Sequence, residues 1–331
     1  MSKQTVNDLI NLCKEKGISG YSNKRKNELL KLLNSIEITE SPKKDKNKNK
    51  DVKSTREEGL DKFYTIPTCS KKCIDKVFSL YDISTFDLIV EPSAGNGSFL
   101  NQINSNDKIG LDIDPDCSNI VEMDFFNYSP PVDKKNILVI GNPPFGRVSS
   151  LAIKFFNHSS KWANIIAFII PRTFRKSSVQ NKLDKKFHLI FDEDVSTNPC
   201  QFTPKMMVKC CFQVWEKKNE ERLLIDLPTK HNDWIFLPFG PLDERNQPTP
   251  PIGADFALRA YGGKIGEIRT EELESLRPKS WHWIKSNINC EKLIEIFNKL
   301  NYSNSLNTAR QNSMGRGELV SLYTDFIDSK I

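Results

Sequence analysis

The stretch Asn136-Ile-Leu-Val-Ile-Gly-Asn-Pro-Pro-Phe145 constrains the fold more than any other part of the chain. Ile137 to Ile140 is a short, unbroken apolar run, the pattern of a strand covered on both faces of a parallel sheet. Gly141 breaks it and delivers Asn142-Pro143-Pro144-Phe145 at the carboxyl end, the edge where open α/β sheets handle ligands. Two consecutive prolines fix φ and remove two backbone donors, so the carbonyls there are stiffly preset. An Asn side-chain oxygen, a neighbouring carbonyl and an aromatic face suit a flat molecule bearing an exocyclic amine. The same residues also make an ordinary strand-ending turn. What precedes them decides.

Upstream, a helix is expected from Ser70 to Tyr81, with Cys73, Ile74, Val77 and Phe78 on one face. A strand, Leu88-Ile-Val90, then enters Glu91-Pro-Ser-Ala-Gly-Asn-Gly-Ser-Phe99, after which a helix is expected. Strand, Gly-x-Gly turn and helix let a ligand approach the backbone closely at a switch point. A second strand, Lys108 to Asp112, ends in Asp112-Ile-Asp114, where acidic groups accept hydrogen bonds from ribose hydroxyls. Val121-Glu-Met-Asp-Phe-Phe126 follows, and then the strand carrying Asn142. Beyond it come a helix from Leu151 to Phe156, a fifth strand from Ile165 to Ile170 and a polar helix from Ser178 to Phe187. Leu189 to Phe191 and Val208 to Trp215 complete the set as an antiparallel pair. A dinucleotide dehydrogenase fits less well, because its G-x-G-x-x-G spacing would need glycine at position 100, which is Leu.

The ordered series Phe-Tyr-Thr-x-Pro, Glu-Pro-Ser-Ala-Gly-x-Gly-x-Phe, Asp-x-Asp, Asp-Phe-Phe and Asn-Pro-Pro-Phe resembles the S-adenosylmethionine-dependent N6-adenine methyltransferases. It matches the subgroup with cofactor motifs first and a target-recognition region last, over roughly residues 61–216. The resemblance implies an α/β fold: a Rossmann-like seven-stranded methyltransferase sheet with helices on both faces. Tyr64, Thr65 and Pro67 would border the methionine end of the cofactor. Glu91, Pro92, Ala94, Gly95 and Gly97 would form the floor beneath it. Asp112 would hold the ribose, with Asp114 a second candidate, and Asp124 with Phe125 would hold the adenine. Asn142, Pro143, Pro144 and Phe145 would carry catalysis. Phe145 would also stack on the target base, together with Phe202 in Gln201-Phe-Thr-Pro204.

Charge points to the partner. The chain has 48 Lys+Arg against 42 Asp+Glu, yet residues 1–56 alone hold 14 against 7. The rest is close to neutral, and a basic arm on a neutral body suggests an anionic polymer, though a solvated tail is the plain alternative for residues 41–56. Thr5 caps a first helix carrying Val6, Leu9 and Ile10, which ends near Gly17; a second runs through Lys24-Arg-Lys26 and Glu28 to Leu33. This pair looks like a SAP domain, a helical module often found on duplex DNA. The resemblance would place Lys24, Arg25 and Lys26 on phosphates; a protein-docking helix pair is the other reading. The expected domains are 1–38 (SAP-like), 39–56 (disordered basic linker), 57–218 (catalytic) and 219–331 (target recognition or accessory).

The eight cysteines are scattered behind no secretory signal, so reduced thiols in a cytosolic or nuclear setting are expected. Cys69 and Cys73 lack the further ligands of a zinc site, and no metal is expected. No apolar run reaches the roughly 20 residues of a membrane helix. Downstream, Phe256 to Gly266 reads as a hairpin with Arg259, Tyr261 and Lys264 near its turn. Arg259 and Lys264 are candidate nucleic-acid contacts beside Trp281 and Trp283, which equally suit packing. A helix around Glu291 to Leu300 and another from Leu319 to Phe326 end the chain. The implied activity is methyl transfer to adenine N6 in nucleic acid, with DNA favoured by the SAP-like unit. RNA, a protein glutamine amide, and a non-catalytic nucleic-acid-binding role remain open.

Overall fold

A computed structural model describes residues 5–15, 26–29 and 62–330. The chain divides into one unit of residues 1–54 and another of residues 55–331. Lys24, Arg25 and the expected linker 39–56 lie outside the described residues. In the first unit, α1 spans Val6–Glu15. The Thr5 hydroxyl accepts from the Asp8 amide at 3.3 Å, while the Asp8 carboxylate takes the Thr5 amide at 2.8 Å, a reciprocal helix-start cap. The Thr5 amide and hydroxyl, both donating to the carboxylate, hold the Asp8 carboxyl below its ordinary pKa, with a smaller pull from Lys26.

The second unit is built on a Rossmann-like sheet of seven strands. They are β1 (Leu88–Glu91), β2 (Lys108–Asp112), β3 (Val121–Glu122), β4 (Ile137–Gly141), β5 (Ile165–Pro171), β6 (Phe187–Val195) and β7 (Cys210–Lys217). Their spatial order is β3-β2-β1-β4-β5-β7-β6. The first five are parallel, and β7 runs antiparallel to both β5 and β6. This is the sheet the sequence resemblance implied. Every residue of β1, β4 and β5 is buried, so these strands read as continuous apolar runs. Alternation then sorts the side chains. Ile165, Ala167 and Ile169 meet α2 (Pro67–Leu80) on one face; Ile166, Phe168 and Ile170 meet α3 (Ser150–Ser159) on the other.

Helix extents depart from the sequence reading. α2 starts at Pro67, which supplies a pre-set φ at the first helical position. No α-helix follows the glycine turn; Leu100–Gln102 makes one 3₁₀ turn. Side chains have taken the backbone groups a helix would pair: the Glu91 carboxylate accepts the Leu100 amide at 2.7 Å, and Lys108 Nζ donates to the Leu100 and Ile103 carbonyls at 2.9 and 2.5 Å. The expected polar helix is a single turn, α4 (Ser177–Gln180). There the Arg222 guanidinium donates to the carbonyls of Gln180, Leu183 and Phe187, so the chain turns away into β6.

Residues beyond 230 form a second sheet: β8 (Trp234–Phe236), β9 (Phe256–Arg259), β10 (Ile268–Arg269) and β11 (Trp281–Ser286), ordered β8-β11-β9-β10 and antiparallel throughout. α5 (Cys290–Lys299) and α6 (Arg316–Asp328) cover one face through Leu293, Phe297, Leu319 and Tyr323. The two sheets are joined at the carboxyl edge of the first. Lys209 Nζ donates to Thr308 Oγ1 and Asn312 Oδ1, both at 2.8 Å, and Lys176 pairs with Glu318 at 2.7 Å. Among the described residues, no helix is long and apolar enough to cross a membrane.

Candidate active site

A cavity of about 340 Å³ opens at the carboxyl ends of β1, β2 and β4. Its size suits a nucleoside-sized ligand. The structure brings Tyr64, Pro92, Gly95, Asp112, Asp114 and Asp124 to its wall, with Phe125, Asn142 and Pro144. Apart from Tyr64, which precedes α2, these residues come from the ends of and loops after four parallel strands, β1 to β4, which is how this topology gathers a site.

The glycine turn is shaped by close approach. Gly95 has φ 50°, and a Cβ there would come within 2.7 Å of the Tyr64 ring. Gly97, at φ 75°, faces the Asn101 side chain instead. Asp112 braces the turn, accepting the Gly95 amide at 2.8 Å through one oxygen and the Asp114 amide at 2.9 Å through the other. Each oxygen keeps a further lone pair for a hydroxyl donor. Asp114 is the more solvent-exposed of the two and is ion-paired with Lys62, while the Tyr64 hydroxyl donates to Asp116. Burial, reinforced by Asp116, pushes the Tyr64 phenol upward, so it stays protonated and donating.

Asn142 carries the most informative polar atom. Its Nδ2 donates to the Phe63 carbonyl at 3.2 Å, which fixes the amide's orientation. Its Oδ1 is buried and has no hydrogen-bond partner. A buried, unpaired acceptor costs on the order of 1–3 kcal/mol unless a ligand donates to it. The Asn142 main-chain carbonyl is already taken by the Ser93 hydroxyl at 3.1 Å.

Several residues singled out from the sequence stand elsewhere. Glu91 lies beneath the turn, only 2 % exposed, where its carboxyl holds loop amides rather than facing the cavity. Burial raises its pKa well above the ordinary carboxylate value, with the Leu100 and Phe99 amides opposing. Thr65, Pro67, Ala94 and Gly97 shape the surroundings without reaching the wall: the Thr65 carbonyl accepts from Ser98 Oγ at 2.7 Å, and the Pro67 carbonyl from Gln102 at 3.1 Å. Pro143 is buried, whereas Pro144 is half-buried and reaches the wall. The Phe145 ring packs against both core layers, while its carbonyl accepts the Leu151 amide at 3.2 Å and so anchors the start of α3.

Two corrections follow from packing. Phe202 is buried in the core, because pairing with Thr65 turns it inward beside Cys69 and Met206. Phe125 lines the cavity as expected, although most of its ring is in the core, stacked on Phe155 with ring centroids 5.1 Å apart; Phe126, next in sequence, is the more exposed aromatic on the wall. Arg259 is spent internally, 2.8 Å from Glu267 and with its guanidinium 4.3 Å from the Trp281 ring centre. Trp281 and Trp283 are both buried packing residues. Lys264 is exposed, and Lys26 lies in the first unit's helical stretch 26–29.

The sequence reading missed Ile113, Met123, Phe126, Leu151 and Phe155, which make the wall largely apolar. Their signal was weak: Ile113 sits between two named aspartates, and Leu151 and Phe155 are four apart on α3. Lys62 gave none, and Phe63 opens the first motif without having been given a role.

No family model and no curated protein matches the chain. Solved structures do. The 23S rRNA methyltransferase ErmE is 15 % identical, with 48 % of this chain and 70 % of that one covered, at a TM-score of 0.33. The N-methyltransferase NodS from Bradyrhizobium japonicum is 11 % identical over 46 % of this chain and 96 % of its own, at 0.31. A Thermoplasma acidophilum protein is 14 % identical over 47 % and 89 %, at 0.33. Likeness of this degree adds nothing to what the strand order already displays, and the site must be read from its own atoms.

Proposed function

We propose that the chain transfers a methyl group from S-adenosylmethionine to the N6 amine of adenine in nucleic acid, with DNA the favoured polymer. The observation that carries this reading is the buried, unpaired Asn142 Oδ1, held in place by the Phe63 carbonyl beside a nucleoside-sized cavity. The cavity's residues fit the cofactor. Asp112 has lone pairs for ribose hydroxyls, and Ile113, Met123, Phe126 and Phe155 offer apolar surface to an adenine ring. Asp124 adds negative charge suited to a cationic sulfonium, while Asp114 is already ion-paired with Lys62.

Bound S-adenosylmethionine supplies an electrophilic methyl group. The chain's task is to make a poor nucleophile adequate. The lone pair of an aromatic amine is delocalised into the ring. Asn142 Oδ1 accepts one of its N–H bonds and the Pro143 carbonyl the other, which draws the nitrogen toward tetrahedral geometry and frees the lone pair. Because the Asn142 amide is held beforehand by the Phe63 carbonyl, little reorganisation is needed at the moment of reaction. Phe145 serves here by anchoring α3, whose Leu151 and Phe155 wall the cavity. The choice of DNA rests on the SAP-like pattern of the first unit, and RNA is the runner-up.

Incubating the full chain with methyl-labelled S-adenosylmethionine and separate samples of duplex DNA, single-stranded DNA, RNA and a glutamine-containing peptide tests the reading. Label in N6-methyladenine of the DNA is the expected result. Label confined to the peptide, or in none of the samples, overturns it.

A further inference from the structure

The four residues after the Asn-Pro-Pro-Phe motif are held in an unusual conformation. Gly146 has φ 65°, Val148 φ 54° and Ser149 φ 61°, so three of the four occupy the left-handed region. Glycine enters it freely; a β-branched valine does so only when its surroundings force it. Here they do. Ser149 is buried and its hydroxyl is 2.7 Å from that of Thr173, while a Cβ at Gly146 would sit 2.7 Å from Leu151 Cβ. Between these two anchors the chain pushes Arg147 and Val148 outward, and Val148 is 81 % exposed.

The arrangement does nothing for the isolated protein, since strain is stored to hold an apolar side chain in water. Its position suggests what it is for. The loop leads from cavity-lining Pro144 to cavity-lining Leu151. Through Thr173 it adjoins the turn whose Arg172 amide bonds to the Lys209 carbonyl at 3.0 Å. That neighbouring rim carries a cation, Lys209, whose ammonium meets only the neutral oxygens of Thr308 and Asn312, and a second exposed apolar residue, Met207. An apolar tip with cations beside it matches the way proteins enter a base stack while gripping phosphates.

We infer that Val148 is a wedge that fills the gap left in a duplex by the extruded target base, with Arg147 and Lys209 toward the flanking phosphates. The inference rests on the adenine-methylation reading and narrows its substrate to duplex nucleic acid whose target base is paired. A base already unpaired needs no wedge.

The test uses the full chain and Val148→Gly, a change that removes the side chain and suits the left-handed backbone, so the melting temperature should hold or rise. Methylation is measured on one duplex DNA with the target adenine paired, and on the same duplex with an abasic site opposite it. The expected result is a kcat/KM about tenfold lower or worse on the paired target, a change of about 1.4 kcal/mol, and less than about twofold on the unpaired one. Val148→Ile should restore activity on the paired target. Equal losses on both duplexes, or none on either, overturn the wedge and leave the methylation reading standing, as does wild-type protein that acts only on single strands. Wild-type protein inactive on every nucleic acid removes both.

Discussion

The two sheets of the large unit put their most ligand-like groups to different use, although the buried Trp234 indole N–H of β8 also lacks a partner. Around β8–β11, the residues that look most like ligand contacts are used up at home: Arg259 pairs with Glu267 and covers Trp281, the Trp283 indole donates to the Pro278 carbonyl at 3.2 Å, and His282 meets the Met314 carbonyl at 2.8 Å. At the carboxyl edge of β1–β5, an amide oxygen is left without a partner and a valine is held out in strained backbone. Arginine and tryptophan in a sequence therefore say little about ligands until their partners are known. An unsatisfied group at a sheet edge says much more.

The largest effect should come from the edge. Asn142→Ala is expected to lower methyl transfer at least about a hundredfold, as expected when one preset electrostatic partner of a reacting group is lost. Cofactor affinity, measured by calorimetry, should stay within about twofold. Retained activity would show that the unpaired oxygen is incidental and would erase the contrast.

An effect on stability rather than on rate is expected from His282. Burial pushes its pKa down from 6.5 to about 4, against the opposing pull of the Met314 carbonyl. Charged groups facing it include Arg316, which lowers the value, and Glu318, which raises it. The unfolded chain takes up this proton below about pH 6.5 while the folded chain refuses it until about pH 4. Stability from the neutral ring is thus complete above that window and falls as pH drops through it, by about 3 kcal/mol in total. Urea denaturation of wild type and His282→Gln across this range should show the wild type losing more; parallel curves would mean the ring titrates freely.

The smallest effect belongs to Arg259. Replacing it by Ala should cost about 1 kcal/mol of stability, since both partners remain partly solvated. Nucleic-acid affinity should not change, and a clear loss of affinity would turn this sheet back into a contact surface.

How much of this could be read in the chain depended on whether the deciding contact was local. Buried parallel strands announce themselves, so β1, β4 and β5 were legible nearly to the residue, and so were Gly95, Asp112 and Asn142 as groups that would converge. The length of α4 was not, because it is decided by Arg222, far along the chain. Nor was the helix expected after the glycine turn, since Glu91 and Lys108 intercept its backbone groups. Phe125 was legible as a wall residue, but its neighbour Phe126, which exposes more of its ring there, was not. Phe202 was misassigned because its direction comes from a two-residue pairing with Tyr64 and Thr65 that leaves no pattern in either segment.

The bond from Asn142 to Phe63 has a practical corollary. Phe63 lies upstream of every cofactor motif except the first, close to where an experimenter would trim this chain to isolate its enzyme core. A version starting at Tyr64 would keep every residue given a cofactor or catalytic role yet lose the hook that aims the carboxamide. It could fold well and still be inert, so inactivity in a fragment of that kind would leave the activity of the whole protein undecided.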